Sequence, residues 1–291
     1  MKVSGFTFLR NGQKLGYPFV ASIRSILPIV DEFVVALGPC EDDTEKQLRG
    51  IGDPKIRILP TQWNEHIRGD YSVKGFVYGQ QKSAALFNCT GDWAFYLEAD
   101  EVVHEKDLPE IRSAMERCLD DARIEALAFD YLHFYGNANT YAWSPRWYRT
   151  EVRIIRNTIP AWGPEGLFFI VLDTHKRGRY PRAASSGATI YHYGWVRSET
   201  QMDLKTSATH KFWDGQPVPA MDYTQIDPAT LHLFTGTHPQ AVRDWLPKAE
   251  GIFSADPEYK LSPREKKHRF MLKLEKWFGL RFNKRHYRLV S

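Results

Sequence analysis

Two carboxylates follow an apolar segment at residues 95–101, FYLEADE. Glu98 and Asp100 come directly after the apolar residues 95–97 and are separated by one alanine. Side chains two residues apart in an extended chain point to the same side. At the end of a strand, two such carboxylates offer oxygen ligands to a divalent cation and leave room for phosphates. The alternative is a solvated acidic loop that precedes the next helix.

The elements around these carboxylates alternate between strand and helix. Short apolar runs predict strands, and the amphipathic runs between them predict helices. The predicted strands cover residues 3–9, 33–37, 56–59, 93–97 and 126–129, and the predicted helices cover residues 17–26, 43–48, 74–87 and 108–119. This order predicts an α/β fold with a mostly parallel central sheet and helices on both faces. Ligands of such sheets bind outside the carboxyl ends of the strands, which selects the loops that begin at residues 10, 38, 60 and 98.

Beyond residue 130 the pattern changes to aromatic, arginine and glycine residues. Short strands are predicted there at residues 152–155, 167–172 and 189–193. We interpret residues 1–214 as one domain, with a first half up to about residue 130 and a second half at residues 131–214. Residues 215–291 form a C-terminal extension, in which a segment rich in proline and turn residues wraps or links and a basic helix follows.

The composition limits the class of protein. Of the 291 residues, 43% are hydrophobic, which excludes global disorder. A net charge of +4 is no nucleic-acid signature by itself, and we expect no nucleic-acid partner. The three cysteines are widely spaced without a CxxC pair, which favours a reducing compartment over a disulfide scaffold or a zinc site. No apolar run is long enough for a signal peptide or a transmembrane helix, so the sequence predicts a cytoplasmic protein.

Three segments resemble the family 2 glycosyltransferases of the GT-A fold. Residues 91–101, GDWAFYLEADE, resemble the family's Gly-Asp-Trp, hydrophobic strand and acidic DxD-Glu segment. Residues 31–44 resemble its second strand and acidic loop, and residues 80–84, QQKSA, resemble the helix start before the metal motif. The resemblance covers residues 1–130 well and residues 140–200 loosely. Glu98 stands where the family has Asp, and the exit of the first strand, LRNG, differs from the family's usual turn.

This resemblance implies a metal-dependent, inverting glycosyltransferase. Such an enzyme moves a sugar from a nucleotide-diphosphate sugar to the hydroxyl of a glycan or lipid-linked acceptor, here in cell-surface glycan or lipopolysaccharide synthesis. Asp100 is the implied principal ligand of Mg²⁺ or Mn²⁺, which neutralises the departing diphosphate as a Lewis acid. Residues 1–130 and 131–214 then correspond to the nucleotide-sugar half and the acceptor half. The implied nucleotide-sugar-binding residues are Asn11, Glu41, Asp42, Asp43, Lys82, Glu98 and Arg153.

A carboxylate base must deprotonate the acceptor hydroxyl in this reaction. Glu165 is our candidate, because it lies in a turn, WGPEG at residues 162–166, that would present it to a cleft beside Trp162. Glu101 and Asp130 are the alternative bases, and an ordinary turn glutamate is the alternative interpretation of Glu165.

His192 and Arg153 lie in the later strands. His192 ends a predicted strand, and some GT-A enzymes complete their metal site with a histidine from this region. The alternative for His192 is a buried core histidine. Arg153 and Arg156 alternate with apolar residues and would contact a diphosphate or an acidic acceptor, unless they face solvent.

The C-terminal residues 264–288 are strongly basic. Interleaved with lysine and arginine are Phe270, Leu272, Leu274, Trp277, Phe278 and Leu280. The pattern is typical of an amphipathic helix on an anionic membrane surface, which would add peripheral contact with the inner face of a membrane. The alternative is a helix that packs on the domain and exposes its charges.

Two other classes of function stay open. A nucleotidyltransferase on a similar sheet usually has a Gly-rich basic loop after the first strand, of which residues 10–16 are a poor version. The sequence lacks GxxxxGKS/T, GxGxxG and GxSxG, which disfavours P-loop, dinucleotide-binding and α/β-hydrolase enzymes. A non-enzymatic protein that binds membranes or nucleic acid would need neither Glu98 nor Asp100.

Overall fold

The computed structural model describes residues 1–67, 74–213, 219–249, 251–279 and 281–290. In this part of the chain a large mixed sheet is flanked by helices, and three short strands between residues 161 and 179 form a small second sheet. The strands are β1 (Val3–Leu9), β2 (Glu32–Leu37), β3 (Ile56–Pro60), β4 (Trp93–Tyr96), β5 (Glu101–Val103), β6 (Ala126–Tyr135), β7 (Thr140–Ala142), β8 (Thr150–Arg156), β9 (Ala161–Trp162), β10 (Ile170–Leu172), β11 (Gly178–Arg179), β12 (Arg182–Trp195), β13 (Leu231–Leu233) and β14 (Arg288–Leu289). The helices are α1 (Phe19–Ile26), α2 (Thr44–Arg49), α3 (Phe76–Leu86), α4 (Leu108–Arg117), α5 (Glu199–His210) and α6 (Pro263–Phe278).

The large sheet joins a parallel part to a mixed part. Strands β3, β2, β1 and β4 lie side by side in this order and run parallel. Next to β4 lies β8, which is antiparallel to it, and β6 pairs with β8 in antiparallel and with β12 in parallel orientation. The short β5, which directly follows the acidic segment, pairs antiparallel with β12. The predicted α/β class, a mostly parallel sheet flanked by helices, is confirmed, and antiparallel pairs begin beyond β4.

Aromatic side chains of the central strands form much of the core. Phe6, Phe33, Phe95 and Phe129 are all buried, and the rings of Phe95 and Phe129 stack with their centres 5.3 Å apart. Full burial of one such side chain contributes about 1.5–3 kcal/mol. Gly5 permits this packing, because a Cβ there would lie 2.5 Å from the Phe33 ring. Continuous apolar runs, buried on both faces of the sheet, therefore specify the central strands.

Helices α1 and α3 follow the predictions with small shifts. Helix α1 buries Phe19, Ile23 and Ile26, at the spacing of three and four residues that an amphipathic helix requires. Helix α3 begins two residues later than the predicted helix at residues 74–87. Gly75 precedes it with a φ of +72°, a left-handed conformation that is incompatible with the helix and that glycine adopts readily.

The second half of the domain differs more from the prediction. Strands β6 and β12 are much longer than the predicted strands at residues 126–129 and 189–193. The extra residues include Asp130 and Ser185, which have weak strand propensity on their own. Pairing between β6 and β12 stabilises them as strand, because neighbouring strands dominate over local preference. Helix α5 has no counterpart among the predicted helices, since it buries only Met202 and lacks an apolar stripe.

The C-terminal extension packs on the domain at several points. Glu275 of α6 accepts two hydrogen bonds from Arg149, at 2.8 and 2.5 Å, and β14 pairs parallel with β12. Nδ1 of His286 lies 2.5 Å from Oε2 of Glu151, and both residues are buried. The predicted domain boundary at residues 214–215 and Leu280 of the tail lie outside the described residues. Within the described ranges, no helix is both long and apolar enough to span a bilayer.

Candidate active site

A cavity of about 540 Å³ opens at the carboxyl ends of the parallel strands. It is lined by residues that follow β1 and β4 and by residues of α5. The polar part of its wall consists of Arg10, Asn11, Lys14, Glu41, Glu98, Asp100, Lys205, Thr209 and Lys211. The aromatic part consists of Phe8, Tyr17, Trp63, Tyr78, Tyr96, Tyr148, Phe212 and Trp213. The position is the one at which open α/β sheets bind their ligands.

Asp100 is held by two cations from the second half of the domain. The guanidinium of Arg197 and the ammonium of Lys205 each donate to Oδ2 of Asp100 at 3.1 Å. Asp100 is only 2% exposed. Burial raises the pKa of Asp100, but the positive charges of Lys205 and Arg197 outweigh burial and hold that pKa below its ordinary value. Asp100 is therefore ionised at neutral pH, and its second oxygen, Oδ1, faces His192.

A pair of histidines fixes the tautomer of His192. Nε2 of His133 lies 2.6 Å from the carbonyl oxygen of Tyr148, and because a carbonyl only accepts, this nitrogen carries the proton. Burial lowers the pKa of His133 to about 3, so its Nδ1 is a bare acceptor, 2.9 Å from Nδ1 of His192. Nδ1 of His192 must then be the donor. Since burial lowers the pKa of His192 to about 4, its Nε2 carries a lone pair that faces Oδ1 of Asp100 at 3.6 Å.

The pair formed by Asp100 and His192 fits a divalent cation. A carboxylate oxygen and an imidazole lone pair repel each other unless a cation or a proton lies between them, and both are ligands for Mn²⁺. Gly194 keeps the space beside them open, because a Cβ there would lie 2.5 Å from Nε2 of His192 and 3.1 Å from Oδ2 of Asp100. The described residues contain no cluster of three or more His, Cys, Asp or Glu side chains that could hold a metal ion.

Glu98 connects the cavity to a buried ion network. Its Oε1 accepts from Nη2 of Arg153 at 3.1 Å, and Arg153 also forms two hydrogen bonds with Glu101, at 2.7 and 2.6 Å. Tyr131 donates to Glu101 at 2.9 Å. Burial raises the pKa of Glu98 to about 8; repulsion by Glu101 adds to this effect and Arg153 opposes it. Arg153 and Glu101 are fully buried and are not part of the cavity wall. They affect the cavity only indirectly, through the position and the pKa of Glu98.

Hydrogen bonds tie the loop after β1 to the loop after β2. Oδ1 of Asn11 accepts from the backbone N–H of Glu41 at 2.8 Å, and Nζ of Lys14 donates to Glu41 at 3.0 Å. Asp42 accepts from the backbone N–H of Lys14 at 2.7 Å, and Asp43 directly precedes α2. Of these acidic residues, Glu41 belongs to the cavity wall and Asp42 and Asp43 do not. Asp42 therefore stabilises the contact between the two loops and does not reach the cavity.

Lys82 is fully buried and holds the turn that carries Glu165. Its Nζ donates to the carbonyl oxygens of Gly166 and Phe168, at 3.0 Å each. Gly166 and Leu167 are part of the cavity wall, whereas Lys82 and Glu165 are not. Burial raises the pKa of Glu165 above its ordinary value. The structure thus places Glu165 next to the wall, in a turn whose position depends on Lys82.

Three other residues singled out in the sequence lie outside the cavity wall. Arg156 donates to the carbonyl oxygens of Leu119 and Cys118 after α4, at 2.8 Å each. Asp130 is exposed and pairs with Arg281 at 3.2 Å. Trp162 lies in β9 and does not contribute to the wall.

The sequence pattern did not single out Arg197, Lys205 or His133, which surround Asp100 and His192. One signal for Lys205 exists, because Ser198 and Gln201 form a capping box at the start of α5, a recognisable pattern of helix starts. His133 had no such signal. It reaches His192 because the two residues pair in the register of β6 and β12, which no local pattern reveals.

Comparisons with known proteins give a limited likeness. S. aureus TarS 1–349 in complex with UDP is similar at 15% identity and a TM-score of 0.34, covering 47% of this chain and 37% of that chain. Its complex with UDP-GlcNAc is similar at 17% identity and a TM-score of 0.33, covering 47% of this chain and 36% of that chain. A third similar structure is glucosyl-3-phosphoglycerate synthase from Mycobacterium tuberculosis in complex with Mn²⁺, UDP and phosphoglyceric acid. It has 19% identity and a TM-score of 0.31, covering 47% of this chain and 44% of that chain. The chain thus spans less than half the length of each of these proteins. No protein-family model and no curated protein matches the sequence.

Proposed function

We propose that this chain is a metal-dependent, inverting glycosyltransferase that moves a sugar from a nucleotide-diphosphate sugar to a hydroxyl of a glycan or lipid-linked acceptor. The observation that carries the proposal is the position of Asp100 next to Nε2 of His192, which carries no proton. Both lie beside a large cavity at the carboxyl ends of the parallel strands. Residues 91–101, which resemble the acidic segment of family 2 glycosyltransferases, support the proposal from the sequence.

The cavity wall suits a nucleotide diphosphate. Lys205, Lys14 and Arg10 surround the cavity with cations that attract phosphate oxygens. The aromatic part of the wall offers a stacking surface for a base or a sugar.

Asp100 and His192 would hold Mn²⁺ or Mg²⁺, which supplies Lewis-acid stabilisation of the charge on the departing diphosphate. Arg197 keeps Asp100 ionised and oriented, since it donates to Oδ2 of Asp100 and also to the carbonyl oxygen of Leu15, at 2.6 Å. Lys205 is partly exposed, unlike Arg197, and its ammonium can turn from Asp100 towards a phosphate oxygen. The chain therefore supplies one fixed and one movable cation beside Asp100.

Glu165 is the base in this proposal. In a single displacement, the acceptor oxygen bonds to the anomeric carbon while the bond from that carbon to the diphosphate oxygen breaks, which inverts the configuration. The acceptor proton passes to Glu165, whose pKa is raised by burial, which makes its carboxylate a stronger base. A Cβ at Gly75 would lie 3.2 Å from Cβ of Glu165 and 3.0 Å from the ring of Trp213, which belongs to the cavity wall. Glu165 is therefore close to the cavity on the side of Trp213.

Thermal unfolding with nucleotides tests the proposal. The unfolding temperature of the full chain is recorded with UDP, GDP and CDP, each with and without Mn²⁺. We expect one nucleotide with Mn²⁺ to raise it by several degrees, because a ligand at 100 times its Kd adds about 2.7 kcal/mol of stability. Asp100→Asn should lose the Mn²⁺-dependent part. The control Asp130→Asn, which changes an exposed aspartate paired with Arg281, should retain it.

Hydrolysis of nucleotide-sugars provides a second measurement on the same proteins. The native chain should release the nucleotide that stabilised it from the matching nucleotide-sugar. Release of pyrophosphate from a nucleoside triphosphate would instead identify a nucleotidyltransferase. If no nucleotide stabilises the chain and no nucleotide-sugar is hydrolysed, the proposal is wrong.

A further inference from the structure

One side of α6 is exposed along its length. Lys266, Phe270, Lys273 and Trp277 follow one another at spacings of four, three and four residues, which places them on a single side of the helix. Phe270 is 57% exposed and Trp277 68%, and the adjacent Phe278 is 66% exposed. We call these five residues the outer face of α6. Burial of these three exposed rings against a partner would stabilise the complex, because their apolar surface would leave water.

The opposite side fastens α6 to the domain. Glu275 accepts the two hydrogen bonds from Arg149, and Arg269 donates two to Asp227, at 2.8 and 2.5 Å. Glu265 accepts from the hydroxyl of Tyr259 at 2.8 Å. These bonds fix the orientation of the helix, so the outer face is directed away from the domain and cannot pack on it without breaking them.

The charges of α6 are sorted between its two sides. Its two acidic residues, Glu265 and Glu275, have side chains that are 12% and 11% exposed and lie on the inner side. The exposed charged residues of the helix are Arg264, Lys266, Lys267, Lys273 and Lys276. The side that faces solvent is therefore uniformly positive, and its complement is an anionic surface.

We propose that the outer face of α6 docks on a membrane surface that carries anionic lipid headgroups. Lysines on this face contact the headgroup phosphates, and the three rings enter the interfacial layer next to the acyl chains, where aromatic side chains are favoured. Nucleic acid would also attract the lysines, but single strands bind in grooves that follow the backbone, and a duplex groove presents polar base edges and phosphates. The three exposed rings of this face are better buried in an apolar layer. The proposal is independent of the transferase activity, because α6 contributes no residue to the cavity wall.

Sedimentation of the full chain with lipid vesicles tests this docking. One set of vesicles contains phosphatidylcholine alone, and the other contains phosphatidylcholine mixed with phosphatidylglycerol. We expect the chain to sediment with the anionic vesicles only, and less so at high salt, since salt screens the lysines. If the chain stays in the supernatant with both, or binds both equally, the proposal is wrong. Retention by an oligonucleotide without vesicle binding would also overturn it and assign the face to nucleic acid.

Two variants separate the contributions of charge and aromatic rings. Lys266→Glu with Lys273→Glu, which changes both lysines of the outer face, should weaken binding to anionic vesicles by about 30-fold or more, from the two lost lysines alone. The control Lys46→Glu with Lys176→Glu changes the net charge equally at exposed sites outside α6 and should weaken it far less. Phe270→Ser, Trp277→Ser and Phe278→Ser together should weaken binding at least about tenfold, whereas Phe87→Ser, which changes another ring that is 68% exposed, should not. Equal losses in the variants and their controls would contradict the proposal. Unchanged unfolding temperatures confirm that every variant is folded.

Discussion

Nε2 of His192 lies 3.6 Å from Oδ1 of Asp100, and neither atom carries a proton. Two facing acceptors repel each other, and in this protein the repulsion is offset because Arg197 and Lys205 hold the other oxygen of Asp100 at 3.1 Å each. The arrangement leaves one carboxylate oxygen and one imidazole lone pair directed at the same space. A cation in that space would satisfy both groups at once.

His133 should set the affinity for Mn²⁺ without contacting the ion. In His133→Phe, Nδ1 of His192 loses its acceptor, so the tautomer with a bare Nε2 is no longer enforced. We expect the affinity for Mn²⁺ to fall about 10- to 100-fold, as is typical when the hydrogen-bond partner of a metal-binding histidine is removed. Titration calorimetry or the electron paramagnetic resonance of free Mn²⁺ measures this without any turnover.

The matched control for His133 is His104→Phe. His104 is also buried, but it bonds to Thr237 and does not line the cavity. This variant should bind Mn²⁺ as the native chain does. Equal loss of affinity in both variants would mean that His133 acts only through general stability.

Asp100→Asn should destabilise the protein even without a ligand. The substitution removes the charge that faces Arg197 and Lys205, and Arg197 is almost fully buried. Breaking a buried ion pair by removing one partner costs about 3–5 kcal/mol, and we expect the lower end because Lys205 can reach solvent. Denaturant unfolding measures the loss. Asp130→Asn, at an exposed pair, should change stability by less than about 1 kcal/mol, and a similar loss in both would show that Asp100 is not the anchor of these cations.

Glu165→Gln should lower kcat about 10²- to 10⁴-fold with little change in KM, because a base acts in the transition state and not in donor binding. Steady-state kinetics with the nucleotide-sugar identified by the binding screen measures both constants. Glu116→Gln, at an exposed pair with Arg112, is the control and should leave kcat unchanged. A kcat of the Glu165 variant within a factor of two of the native value would remove Glu165 from the mechanism.

Glu125 should make stability depend on pH in the acid range. Burial raises the pKa of Glu125, but hydrogen bonds from Arg179 and Arg182 outweigh burial and lower it to about 2, from 4.5 in an unfolded chain. Because the folded pKa is the lower one, the stabilisation is complete above about pH 4.5 and is lost as the pH falls from 4.5 towards 2. Its size is about 1–3 kcal/mol, since both arginines are partly exposed and screened.

Comparison with Glu125→Gln isolates this effect. The native chain should be more stable than the variant at pH 6, and the difference in the free energy of unfolding should shrink towards pH 3. Glu110→Gln, at an exposed pair with Arg117, should show no such trend. A difference that does not depend on pH would show that the contribution of Glu125 is not the ion pair.

The amino-acid sequence alone was sufficient to place the acidic segment at the end of a buried strand. Strand β1 matches the predicted residues 3–9, and β4 begins at the predicted Trp93, because both consist of short apolar runs bounded by polar turns. From these runs followed the α/β class and the sheet edge at which Asn11, Glu98 and Asp100 line one cavity. Such features depend on residues that are close together in the chain, which is why local patterns reveal them.

Only the tertiary structure decided what surrounds Asp100. Arg197 and Lys205 are about a hundred residues away in the chain, and His133 reaches His192 through the register of β6 and β12. Ion pairs and tautomers depend on distances of a few ångströms between such remote residues, and no periodicity in the sequence encodes those distances. The same holds for α6. The sequence predicted its basic and aromatic character, whereas packing decided that both glutamates turn inward and that Phe270, Trp277 and Phe278 remain exposed.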